Sequence, residues 1–177
     1  MKLYVIRHGR TNINDEHKYY GSLDDDINET GVKQAKEARE KVKVLDIDLI
    51  ICSPLLRTKH TCEIINANEV SVIYDDRIVE RETEALEGKE LGDFYKTDYW
   101  NYYSKQKIEG LETIPDLLGR VKLFLDEIKV KYADKNVLLV THGGVARAIY
   151  YYFNPLPTDG MLNVFNTKNC EIKEYVL

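Results

Sequence analysis

The chain is predicted to fold as a three-layer α/β/α sandwich around a mostly parallel central sheet, closed by an antiparallel edge hairpin. Three observations predict it. Four short apolar runs, at residues 3–6, 49–52, 70–74 and 137–140, are rich in Val, Ile and Leu, the composition of strands covered on both faces. Amphipathic helical stripes lie between them, and strand alternating with helix implies βαβ units with helices on both sides of a sheet. The tail differs: residues 162–165 and 170–176 flank the turn-like Asn166-Thr167-Lys168-Asn169, the pattern of a hairpin.

Each element has a local reason. After the first run, Asn28 is a good N-cap for a helix whose buried stripe is Val32, Ala35, Ala38 and Val42. After the second, Ser53 as cap and Pro54 in the first turn predict a helix running through Ile64 and Ile65 toward Asn66. Thr113 and Pro115 play the same parts for the stripe Leu117, Leu118, Val121, Phe124, Leu125 and Ile128. A last helix is expected over about 144–153. No linker interrupts the chain, and 177 residues suit one domain spanning 1–177.

Composition narrows the function classes. With 25 basic and 30 acidic residues the formal charge is -5, so no overall positive field recruits nucleic acid or an anionic membrane. Any anion site must be local. Cys52, Cys62 and Cys170 form no C-x-x-C pair, and an odd count of cysteines suits reduced thiols and a cytoplasmic location. The first strand starts almost at Met1, which leads us to expect no secretory leader, and no apolar run approaches the length of a membrane span. Nothing in the sequence indicates the oligomeric state.

Three strand ends carry polar residues suited to one site, and in a parallel sheet those ends share an edge. The first gives Arg7-His8-Gly9; the second leads through Ser53-Pro54 to Arg57; the last gives Thr141-His142-Gly143-Gly144. Ligands of open α/β folds bind at that edge, and the helix N-terminus after Gly143 favours an anion there. Arg7 can fork two donors onto phosphoryl oxygens, and Gly9 permits close backbone approach. Taken alone, His8 could be a nucleophile, a base, a metal ligand or a plain hydrogen-bonder. Glu80, Glu82, Glu84 and Glu87 supply an acidic run that could bring an acid to a leaving group, although such runs are commonly exposed loops. His17 and His60 have no metal-ligand spacing and are read as ordinary surface residues.

Arg7-His8-Gly9-Arg10-Thr11 with Asn14, Ser53-Pro54-Leu55-Leu56-Arg57-Thr58, Glu80 eight residues before Gly88, and Thr141-His142-Gly143-Gly144 occur in the order of a known set of motifs. In these the chain resembles the histidine phosphatase, or phosphoglycerate-mutase-like, superfamily over essentially its whole length. The resemblance implies that His8 is the nucleophile and becomes a phosphohistidine, while Arg7, Arg57, His142 and Asn14 hold phosphoryl oxygens near Gly143. Glu80 would act first as acid and then as base. His142 would be protonated when it donates to the phosphoryl group, and no metal or other cofactor is implied.

By the same resemblance residues 92–112 form a small lid over the substrate. Its aromatic residues suit a ring, with Tyr99, Trp100 and Glu112 as candidate contacts. Departures from the family pattern bear on substrate identity: Arg10 follows Gly9 where an acid or amide is common, Glu84 stands where many relatives have glycine, and Leu111 interrupts a Gly-Gly-Glu-Ser-like motif. The lid is short and has few basic residues, which favours a phosphatase similar to alpha-ribazole phosphatases and broad phosphomonoesterases over a mutase. The substrate would be a small phosphorylated metabolite. A mutase, a non-catalytic phosphoester-binding module and a metal-dependent hydrolase are the competing readings.

Overall fold

A single five-stranded sheet organises the chain in a computed structural model that describes residues 1–177. Its strands are β1 (Lys2–Arg7), β2 (Leu49–Cys52), β3 (Val72–Tyr74), β4 (Val137–Thr141) and β5 (Ile172–Val176), in the spatial order β3-β2-β4-β1-β5. The first four pair in parallel, and β5 runs antiparallel on the outer edge of β1. Because successive side chains of a strand point to opposite faces, each inner strand feeds two cores. Leu3, Val5, Leu49, Ile51, Val137 and Leu139 belong to one; Tyr4, Ile6, Ile50, Cys52, Leu138 and Val140 belong to the other.

The helices are α1 (Asn12–Asp15), α2 (Glu29–Val42), α3 (Leu56–Ile65), α4 (Asp93–Thr97), α5 (Ile114–Lys131) and α6 (Gly143–Phe153). The stripes of α2 and α3 close one face of the sheet, and those of α5 and α6 close the other. Asn28 caps α2 by accepting from the Gly31 N–H at 3.0 Å, and Thr113 caps α5 with Pro115 in its first turn. Gly9 and Gly31 are both required where α2 meets the end of β1, since a Cβ on Gly9 would come within 2.7 Å of the Gly31 carbonyl oxygen and one on Gly31 within 2.3 Å of the Arg10 carbonyl oxygen. No helix is long and apolar enough to cross a membrane.

Two expectations need correction. The helix α3 starts at Leu56 rather than at Ser53, because Asp24 caps it from a distant loop, accepting from the Leu56 N–H at 2.5 Å. Ser53 is thereby free to meet His142. The edge strand is present but is not half of a hairpin: residues 162–164 form a 3-10 turn, and β5 finds its partner in β1. The backbone before that turn is committed elsewhere, with Leu162 N–H donating to Trp100 O and Tyr102 N–H to Gly160 O, at 2.9 and 2.8 Å.

Sheet order decides where the polar strand ends meet. Placing β4 between β1 and β2 sets Arg7 opposite Thr141, and the connections from β1 and β4 leave toward opposite faces. The crevice at such a reversal is the usual ligand site of an open α/β sheet. Here Tyr95, Tyr99 and Trp100 line it, from a segment that is tied down rather than loose. Buried Arg81 donates to Tyr99 O at 2.5 Å and to Glu112 O at 2.7 Å, and its guanidinium lies 4.3 Å from the Tyr99 ring centroid.

Candidate active site

His8 follows the last residue of β1, and its backbone N–H still donates to Thr141 O at 2.9 Å, so the sheet itself aims the side chain. The ring is 2% exposed. Its Nδ1 lies 2.7 Å from Gly9 O, a carbonyl that can only accept. Nδ1 therefore carries the proton, and the Nε2 lone pair is left for the cavity. Burial, then the charges of Arg57 and Arg7, push the His8 pKa well below its ordinary value of 6.5. The imidazole is neutral at neutral pH.

The cavity measures about 380 Å³. Of the residues singled out in the sequence, Arg7, His8, Asn14, Glu80, Tyr99, Trp100 and Gly143 line it. Arg7 donates through Nη1 to Thr167 O at 2.9 Å, while its buried Nε has no protein partner. A buried donor without an acceptor is costly, and an anion in the cavity would supply one. Asn14 is oriented by its neighbours: its Oδ1 accepts from Thr11 N–H and from Asn169 Nδ2, both at 3.3 Å, which leaves the amide NH2 as its free donor.

Glu80 is held by the N-terminus of α6. Its Oε1 accepts from Arg81 N–H at 2.8 Å and from Gly144 N–H at 3.0 Å, and Oε2 lies 3.1 Å from the same Gly144 nitrogen. Glycine at 144 leaves room for this seat: a Cβ there would stand 2.2 Å from Oε1 and would push the carboxylate aside. Two other acids of the run are occupied in loop structure. Glu82 accepts from Ser22 Oγ, Thr83 N–H and Glu84 N–H, and Glu87 accepts from Gly21 and Leu23 N–H.

Three expected contacts are not on the cavity wall. Arg57, fully buried, spends its donors on His142 Nδ1 at 3.2 Å and on Leu23 O and Gly21 O at 2.7 Å, and its guanidinium packs 4.0 Å from the Tyr20 ring centroid. Arginine can only donate, so His142 Nδ1 is an acceptor, and its Nε2–H then donates to Ser53 Oγ at 2.7 Å. That makes His142 neutral, in line with burial and Arg57 pushing its pKa well below 6.5; the expected protonated ring is not the state this geometry holds. Arg57 and His142 thus sit behind His8, whose ring centroid is 5.3 Å from that of His142. Glu112 faces away from the cavity and forms a forked ion pair with Arg120, at 2.7 and 2.8 Å.

Of the other wall residues, only Arg10, part of the first motif, had a sequence signal that separated it from the core or the surface. Arg10, His17, Lys18, Tyr19, Tyr20, Leu91, Tyr95, Arg147, Asn166 and Asn169 all contribute. His17, read as an ordinary surface residue, takes a left-handed backbone (φ 54°) that turns the chain along the cavity rim. His60 does pair, with Asp26 at 2.9 Å, outside the site. No cluster of three or more His, Cys, Asp or Glu side chains is arranged to hold a metal ion.

The two buried imidazoles make stability depend on pH. Their folded pKa values are lowered, so below 6.5 the unfolded chain binds protons that the folded chain refuses, and stability falls with falling pH. Each histidine contributes up to about 1.4 kcal/mol per pH unit below that point. We expect a clearly lower melting temperature at pH 5.5 than at 7.5, with the difference reduced in His142→Asn. An equal drop in both proteins would exclude His142 as a source.

Comparison with known proteins agrees with this geometry. Phosphoserine phosphatase 1 of Hydrogenobacter thermophilus is 33% identical over 157 residues, covering 85% of this chain and 74% of that protein. The uncharacterized phosphatase PhoE of Bacillus subtilis is 35% identical over 146 residues, covering 82% and 73%. Among solved structures, Bacillus stearothermophilus YhfR superposes with a TM-score of 0.86 at 23% identity, covering 98% of this chain and 89% of that one. The alpha-ribazole phosphatase from Shigella flexneri gives 0.83 at 22% identity, covering 98% and 89%. The family model of the histidine phosphatase superfamily (branch 1) matches residues 3–177; the chain belongs to that superfamily and is a phosphoric monoester hydrolase.

Proposed function

We propose that the protein hydrolyses the phosphomonoester of a small metabolite through a phosphohistidine on His8, within one domain whose residues 92–112 roof the substrate. The observation that carries this reading is the 2.7 Å contact of His8 Nδ1 with Gly9 O, which leaves Nε2 unprotonated in a cavity walled by Arg7, Asn14 and Glu80. In the first half-reaction Nε2 attacks phosphorus, the N–P bond forms and the ester P–O bond breaks. A proton on Glu80 Oε2, the carboxylate oxygen with the fewer partners, passes to the departing alkoxide. In the second, the Glu80 carboxylate takes a proton from water as its oxygen attacks phosphorus, and the N–P bond breaks to release phosphate.

Phosphoryl transfer asks chiefly for positioning and for neutralisation of charge. Arg7 and the Asn14 amide would hold phosphoryl oxygens above Gly143, with the positive end of α6 beneath. Arg57 would complete the positive floor from behind the nucleophile, next to the neutral ring of His142.

The test is phosphate release from a panel of phosphomonoesters that includes p-nitrophenyl phosphate, phosphoserine and 3-phosphoglycerate, with EDTA present. Phosphate release that persists in EDTA is expected. Loss of turnover in EDTA, restored by a divalent ion, would show a metal-dependent hydrolase, and isomerised acid without phosphate release would show a mutase.

A further inference from the structure

Three cationic side chains line the cavity outside the group that meets the phosphoryl oxygens: Arg10, Lys18 and Arg147. Two are already neutralised near solvent, Arg10 by Asp15 and Lys18 by Glu16. Arg147 is different. It is 6% exposed and its single hydrogen bond runs from Nε to Phe165 O at 3.0 Å. Its guanidinium lies 3.9 Å from the Trp100 ring centroid, so the terminal nitrogens are held on an aromatic face with no protein acceptor. Burial lowers its pKa while Tyr95 and Glu80 raise it, and an arginine stays charged throughout. Donors without a protein acceptor that open on a cavity are available to an anion there.

Its place in the fold says which part of a substrate would meet it. Arg147 follows Gly143 by one turn of α6 and so lies on the same helix face, and Gly144, beside it, holds Glu80. The carboxyl proposed to protonate the leaving oxygen is therefore flanked by Arg147, and Arg147 faces the leaving fragment rather than the phosphoryl group. One guanidinium with two free nitrogens matches a single negative charge spread over two oxygens. A second phosphate would bring more charge than this one cation balances. Building on the phosphatase reading above, we propose that Arg147, backed by Trp100, is a specificity-determining residue that binds a carboxylate on the leaving group.

The test compares kcat/KM for 3-phosphoglycerate and glycerol 3-phosphate, which share a carbon skeleton and differ in carboxylate against hydroxymethyl, across wild type, Arg147→Gln and Arg147→Lys. Wild type should prefer 3-phosphoglycerate by about 10- to 100-fold, the weight of a charge-assisted contact. Arg147→Gln should erase most of that ratio, chiefly through KM, and Arg147→Lys should restore part of it. A ratio unchanged in Arg147→Gln, or an equal fall for both esters, overturns the carboxylate contact and leaves Arg147 a structural residue. Should Arg147→Gln fail to melt cooperatively, the ratio in Arg147→Lys decides. If wild type turns over no ester at all, the phosphatase reading fails. Calorimetric titration with 3-phosphoglycerate and with inorganic phosphate then judges Arg147 separately: the proposal requires that only the first weakens in Arg147→Gln.

Discussion

His8→Ala is expected to lower kcat by at least about 10⁴-fold on every phosphomonoester, the scale on which loss of a covalent nucleophile acts. The residual rate should show no phosphoenzyme. In wild type, rapid quenching should trap a phosphoryl group that is labile in acid and stable in alkali, and mass spectrometry should place it on His8. The expectation rests on the ring's fixed tautomer: Gly9 O holds the Nδ1 proton, so the nucleophilic nitrogen is available without a separate base. The side chain also has a structural part, since its loss leaves a buried carbonyl without a donor, at a cost of about 1–3 kcal/mol. His8→Asn, which can offer an amide donor to that carbonyl, separates folding from chemistry. Retention of more than about 1% of turnover in a folded His8→Asn would sink the nucleophile assignment.

Glu80→Gln should lower kcat by about 10²- to 10⁴-fold on alkyl phosphates, whose alkoxide needs a proton to leave. The amide is nearly isosteric, and its carbonyl can still accept from the Arg81 and Gly144 N–H groups, so the site should keep its shape. With p-nitrophenyl phosphate the two half-reactions should separate. Nitrophenolate departs without an acid, whereas hydrolysis of the phosphohistidine still lacks its base. A burst of nitrophenolate about equal to the enzyme concentration, followed by slow turnover, is the expected trace. Glu82→Gln is the control: its carboxylate ties together the 22 and 82–84 turns away from the cavity, so kcat should stay within about threefold. Equal losses in the two variants, or no burst with Glu80→Gln, would remove Glu80 from both proton transfers.

Much of this arrangement was legible in the order of residues, and particular side chains show where legibility ended. Arg7 and His8 at the end of β1 and Gly143 at the start of α6 meet in the cavity because the patterns of those elements are local, while Asn14 and Glu80 were legible only through the resemblance of the motifs. Apolar runs mark strands, caps mark helix starts, and a strand end points its next residue at the edge. Ser53 shows the limit. A Ser-Pro pair is a good local start for a helix, yet Asp24, 32 residues before Leu56, supplies the cap, and the serine hydroxyl goes to His142 instead. Glu112 fails likewise as a lid contact, because Arg120 two turns along α5 captures its carboxylate.

The sequence by itself determined the strands and helices, the sandwich they make, and the strand-end cluster of histidine and arginine, since all of these depend on periodicity and near neighbours; Glu80 was picked from its acidic run only by the resemblance of the motifs. The tertiary structure decided how those groups divide the work of the site. Inserting β4 between β1 and β2 set Arg57 and His142 behind His8 instead of on the cavity wall. Folding α6 under the roof brought Arg147, otherwise one more core-facing position of an apolar helix, onto Trp100 beside Glu80. Donors and acceptors far apart in the chain compete for each other only once the layers are stacked, and which pairs form, and which are left over for a substrate, is a property of that stacking.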